Sequence, residues 1–146
     1  MRIGELAARS GVDVQTIRFY EREGLIGAPA RTASGYRAYG PAHLERMQFI
    51  RHCRSLDMPL ADVKRLIALS ADSTVSCDEV NAMLQRHLER IRAKRTALEL
   101  LERQLTGLNA QCQAGHRVAD CGILEELIHA ARGEACACHA GARSNP

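Results

Sequence analysis

A chain of 146 residues can bury one modest core, or hold a small domain joined to an extended helical segment, but not two full globular domains. Two Phe, three Tyr and no Trp stand against abundant Leu, Ala and Arg, a balance that favours helices, and no 18-residue apolar run of the kind that spans a membrane occurs. The net charge of +3 is uneven: residues 1–70 carry eleven Lys/Arg against seven Asp/Glu and residues 71–146 nine against ten, so a polyanionic partner would meet the N-terminal half.

Ile3, Leu6 and Ala7 give a short apolar stripe, Ser10-Gly11 interrupts it, and Asp13 can cap a second helix with Val14, Ile17 and Tyr20 on its inward face. Two short helices around a Gly-containing turn suggest a helix-turn-helix, whose second helix enters the major groove. As a bare pattern it suits equally a helix pair that binds no nucleic acid. Leu25 to Tyr39 is too broken by Gly27, Pro29 and Gly35 for a helix, and Arg31-Thr32 and Tyr36-Arg37 on either side of Ala-Ser-Gly read as a small β-hairpin. Such a hairpin after a helix-turn-helix is a wing, and its Arg and Tyr donors suit phosphate oxygens. The alternative is a surface hairpin whose charges are merely solvated.

Residues 41–55 predict a third helix with Leu44, Met47 and Ile50 on one face, and Cys53, three residues on, reads as a core cysteine. Asp57-Met58-Pro59 breaks the chain and starts a fourth helix marked by Leu60, Val63, Leu66 and Ile67. Ser70 to Ser76 is a polar linker. A proline-free segment then runs from Asp78 to about Asn109, with Leu84, Ile91, Leu98 and Leu105 recurring every seven residues. That is a coiled-coil seam, and a second copy of the same helix would cover it. The alternative is packing against the N-terminal half. Gln111 to Asp120 is a loop, Cys121 to about Ala131 a short apolar helix, and the rest a Gly, Ala and Cys-rich tail. The expected division is 1–70, 71–110, 111–131 and 132–146.

The opening residues lack the zones of a secretory signal, so the expected address is the cytoplasm, with no membrane partner. In a reducing compartment six cysteines point to metal binding or redox sensing rather than a disulfide framework. Cys77 precedes the long helix and Cys112 follows it; a helix of that length separates them by about 50 Å within one chain. In a two-fold antiparallel dimer Cys77 of one copy meets Cys112 of the other, twice, and Cys121 supplies a third thiolate. Thiolates favour soft or borderline ions: three sulfurs suit Pb(II) or Hg(II), and a fourth ligand suits Cd(II) or Zn(II). His116 is available as that fourth ligand, or is a solvated loop imidazole. Cys136, Cys138 and His139, with His129, form either a second site or an adventitious terminal cluster.

IGELAARSGVDVQTIRFYEREGLI, the wing SGYRAY and HLERMQFIRHCRSLDMPLADVKRLI together resemble the MerR family of winged-helix regulators, over residues 1 to about 131. Within it, Cys77 is similar to sensors of divalent ions, where copper and silver sensors have Ser, and RHCRSLDMPL, CDEVN and CGILEEL most resemble the cadmium- and lead-responsive branch. The Cys112 to Cys121 spacing is shared by mercury and lead sensors. The tail ACACHAGARSNP departs from the His-rich tail of some cadmium sensors.

The resemblance implies a mainly α fold: a winged helix-turn-helix, a long antiparallel coiled-coil dimerisation helix, and a short C-terminal metal-binding loop and helix. It implies a homodimer on a palindromic promoter operator that bends and untwists the DNA when metal binds, so that RNA polymerase can use the promoter. Motif match makes Arg18, Tyr20, Tyr36 and Arg37 DNA contacts, with Arg31 beside them in the wing, while Gln15 and Thr16 can reach bases or phosphates. For Tyr20 the other expectation is partial burial in the small core, and the two roles can coexist. Rival readings are a thiol redox-sensing regulator, an enzyme, for which no nucleophile, base and orienter converge, and a drug sensor, for which too few residues follow Leu108.

Overall fold

The structure, a computed structural model, describes residues 1–112, 115 and 117–133. It is mainly helical with one two-stranded sheet, and the chain forms two compact units, Met1–Leu84 and Gln85–Pro146.

The first unit opens with α1 (Ile3–Ser10), stopped by Gly11, whose φ of 67° is a left-handed helix terminus that glycine adopts without steric cost. Asp13 caps α2 (Val14–Arg22), its carboxylate accepting from the Thr16 backbone N–H (2.9 Å) and hydroxyl (2.6 Å). The hairpin pairs β1 (Ala30–Arg31) with β2 (Arg37–Ala38) in antiparallel register, Ala30 opposite Ala38 and Arg31 opposite Arg37. The Thr32 carbonyl accepts from Gly35 N–H, and Gly35 has φ 81°, so a turn followed by a left-handed glycine closes the loop and leaves Tyr36 outside the strands. The expected strand pair Arg31-Thr32 with Tyr36-Arg37 is thus displaced outward along the hairpin.

Pro41 begins α3 (Pro41–Ser55), where the His43 imidazole accepts the Gly40 N–H (3.0 Å), and Pro59 precedes α4 (Leu60–Ser70). Leu6, Ile17, Met47, Ile50 and Val63 are fully buried in the core these helices share, with Cys53 and Tyr39 beside them. Met58, which the sequence placed only in a chain break, is also core, at 6% exposure. After α4 the Asp72 carboxylate holds the turn by accepting from the Thr74 N–H and hydroxyl. Arg65 of α4 makes a two-pronged ion pair to Glu79 at the start of α5 (Asp78–Asn109), with N···O distances of 2.6 and 2.9 Å.

The second unit holds the remainder of α5, a single 3-10 turn (Val118–Asp120) and α6 (Gly122–Ala131). Ile91, Leu98, Leu101 and Leu105 are exposed along α5, as are Leu124, Leu127 and Ile128 on α6. Leu98 is 64% and Leu105 56% exposed. No helix among the described residues is long and apolar enough to cross a membrane.

Candidate functional site

Two groups of side chains carry chemistry, a cationic face on the first unit and a set of cysteines. The face is assembled by non-local contacts. The Tyr39 N–H donates to the Met1 carbonyl (2.8 Å), which draws the residues before α1 alongside β2. Arg2, Ile3, Arg18, Gly35, Tyr36 and Arg37 then line an open cleft of about 240 Å³, with the Arg2 guanidinium 5.4 Å from the Tyr36 ring centroid. Three guanidiniums and an exposed phenol around one opening offer convergent donors to phosphate-like oxygens.

Glu21 fixes the wing to α2. Its carboxylate accepts from Arg37 Nε (3.3 Å) and from the Tyr39 hydroxyl (3.1 Å). Burial, and then the hydrogen bond to Glu21, raise the Tyr39 phenol above its ordinary pKa of 10.0, so the tether is held in its neutral, donating form.

Of the sequence-predicted contacts, Gln15, Arg18, Arg31, Tyr36 and Arg37 are exposed, Tyr36 at 61%. Thr16 is occupied in capping α2. Tyr20 lies in the core at 9% exposure, its ring 5.8 Å from that of Phe19. Its position three residues after Ile17 puts it on the inward stripe, so the expected burial in the core is present. Arg2 and Glu21 were missed. No local period ties residue 2 to 36 or residue 21 to 39.

Cys53 is buried, and burial pushes its thiol above the ordinary value, so it packs as a small hydrophobe. Cys77 and Cys112 are exposed and Cys121 is half-buried. The Cys77 carbonyl accepts the first i+4 bond of α5 from Asn81 (2.9 Å), and Cys121 is the N-cap of α6. Both cysteines therefore stand at helix N-termini. Among the described residues no three His, Cys, Asp or Glu side chains gather into a metal-holding group within the single chain. His116, Cys136, Cys138 and His139 lie outside the described residues; His129 is on α6.

Comparison with known proteins sets this geometry in a family. Residues 1–69 match the family model for MerR HTH regulatory proteins, and residues 44–108 match the MerR DNA-binding model. The HTH-type transcriptional regulator ZntR of Escherichia coli K12 is 35% identical over 139 residues, 94% of this chain and 99% of that protein. The mercuric resistance operon regulatory protein of Bacillus cereus is 35% identical, over 87% of this chain and 96% of that one. Among solved structures, the transcription regulator PbrR691 of Ralstonia metallidurans CH34 in complex with lead(II) is similar at a TM-score of 0.74 and 42% identity, covering 87% of this chain and 98% of that one. These relatives are regulators and not enzymes. The chain belongs to the MerR family of helix-turn-helix regulatory proteins.

Proposed function

We propose that this chain is a metal-responsive transcription regulator that binds a palindromic promoter operator as a homodimer and takes a soft divalent ion on Cys77, Cys112 and Cys121. The observation that carries the reading is the placement of two exposed cysteines at opposite ends of the 32-residue helix α5, whose heptad leucines are themselves exposed. A second copy laid antiparallel along α5 covers those leucines and sets Cys77 of one copy beside Cys112 of the other, twice by symmetry. Cys121 completes a three-sulfur set. Three sulfurs suit Pb(II) or Hg(II), and His116 as a fourth ligand suits the tetrahedral ions Cd(II) and Zn(II); the resemblance to the cadmium- and lead-responsive branch favours Pb or Cd among these. The similar protein in complex with lead(II) and the similar regulator of mercuric resistance support a soft ion.

In this reading α2 enters the major groove while Arg2, Arg18 and the wing hold the backbone. The metal-bound dimer bends and untwists the operator so that RNA polymerase can engage the promoter. Deforming a site of 20 to 30 base pairs costs roughly 1 to 10 kcal/mol, so the ion must favour the distorting conformation by about a few kcal/mol to act as a switch.

The test is a promoter-reporter titration with Pb, Cd, Zn and Hg, repeated for Cys77→Ser, Cys112→Ser and Cys121→Ser. Each single variant is expected to lose the metal response while its metal-free form still binds the operator. A variant that responds normally removes its residue from the site. A response to a thiol oxidant in metal-free medium, in place of the response to ions, assigns the protein to redox sensing instead.

A further inference from the structure

The first residue of α6 makes a contact that only glycine permits. A Cβ placed on Gly122 falls 2.6 Å from the Gln111 carbonyl oxygen and 3.2 Å from the Gln111 Cβ. The opposing oxygen is backbone, which cannot swing aside as the end of a long side chain can. Gly122 is not among the glycines of positive φ, so an alanine could adopt its backbone angles. Space alone excludes a side chain there.

The neighbours give this close approach its meaning. Gln111 precedes Cys112, and Gly122 follows Cys121. The contact therefore clamps the base of the segment between the two thiols and holds a cysteine on each side of it. Local bonds fix both backbones: the Cys112 N–H donates to Asn109 (3.0 Å), the Cys121 N–H donates to Val118 (3.2 Å), and the Cys121 carbonyl accepts from Glu125 (3.1 Å).

We propose that Gly122 is a positioning residue of the metal site, its missing side chain setting the separation at which Cys112 and Cys121 share one soft ion. The inference rests on the reading of these two cysteines as ligands. Relaxing 2.6 Å to an ordinary contact of 3.4 Å opens the base of the loop by about 0.8 Å. Mutation of the residues that orient metal ligands typically costs about 10- to 100-fold in affinity.

The full-length protein is tested as Gly122→Ala, with Gly4→Ala as control, since a Cβ at Gly4 meets nothing within 4 Å. Cd(II) affinity is read by chelator competition through the ultraviolet thiolate-to-metal absorption. A second measurement, free of metal, is the equilibrium constant for the Cys112–Cys121 disulfide in glutathione buffer, quantified from the peptides. In it two thiols pass two electrons and two protons to oxidised glutathione, giving the disulfide and two reduced glutathiones. Gly122→Ala is expected to bind Cd(II) about 10- to 100-fold more weakly and to lower the disulfide constant, with helix content and metal-free operator binding unchanged. Adding Gln111→Gly, which removes the Cβ at 3.2 Å and loosens that backbone, is expected to recover part of both.

Wild-type values of affinity and disulfide constant in Gly122→Ala overturn the proposal, as does a general loss of helix, which makes the glycine merely structural. Cys112→Ser separates the two levels of inference. If that variant keeps the metal absorption, the ligand reading itself is wrong; if it loses the absorption while Gly122→Ala is silent, only the positioning role falls.

Discussion

Leu98→Ala with Leu105→Ala tests whether the exposed stripe of α5 is a subunit interface. Fully burying a leucine is worth about 1.5 to 3 kcal/mol. Leu98 is 64% and Leu105 56% exposed in the single chain, so each has somewhat more than half of that value still to gain, about 1 to 2 kcal/mol. A two-fold interface counts each position twice. The four truncated side chains together remove roughly 4 to 7 kcal/mol, which raises the dimer dissociation constant roughly a thousand- to a hundred-thousand-fold. Alanine has the highest helix propensity, so α5 itself persists in the variant. Sedimentation equilibrium across a concentration series reads the constant directly, and far-ultraviolet circular dichroism checks the helix. A double variant that keeps its helix and dimerises with wild-type affinity refutes the antiparallel pairing, and with it the shared thiolate site.

Tyr39→Phe removes the hydroxyl bond to Glu21 that ties the wing to α2, at a cost of about 1 kcal/mol, and operator affinity in a gel-shift titration is expected to fall a few-fold. The sign with pH follows from the raised phenol: the tether is fully present below the ordinary value of 10.0 and is lost as pH rises through the higher folded value. Phenolate absorption during an alkaline titration should therefore lose a component that ionises above the ordinary value in Tyr39→Phe. Arg2→Ala and Arg18→Ala are each expected to weaken operator binding and lower the slope of log affinity against log salt by about 1, with no change in sequence preference. Cys53→Ser places a hydroxyl in the core at a cost of about 1 to 3 kcal/mol, seen as a lower denaturation midpoint with the metal response retained. Arg65→Gln and Glu79→Gln are each expected to shift the metal dose for half-maximal reporter output, and the double variant to be no worse than either single one.

What the sequence disclosed is what local rules govern. The absence of proline and the seven-residue leucine spacing bounded α5 at Asp78 and Asn109, the ends it has in the structure. The i+3 step from Ile50 placed Cys53 in the core, and Asp13 announced itself as a cap. What it withheld depends on residues remote in the chain. Arg2 joins the cationic face only because the Met1 carbonyl bonds to Tyr39, and Glu21 becomes the wing's anchor only once the hairpin has folded back over α2. Met83 is buried one position away from the heptad leucine Leu84, which stays exposed, because successive residues of a helix point to different faces.

The two groups of functional side chains differ in how much the fold does for them. The cationic face is held within one subunit by bonds whose donors and acceptors are all in the first unit, so it stands ready for a polyanion without an ion present. The cysteines of the proposed metal site are less prepared: Cys112 and Cys121 flank the close approach of Gln111 to Gly122, whereas Cys77 precedes α5. The proposed metal switch needs that asymmetry. An ion that binds equally well in every arrangement of the dimer shifts no equilibrium, however tightly it is held, whereas one whose last thiolate arrives only in a particular pairing of two chains places its binding free energy on that pairing. The short turn held by Asp72 and the Arg65–Glu79 ion pair is then the shortest covalent route from Cys77, in the proposed site, to α4 and the core that seats α2.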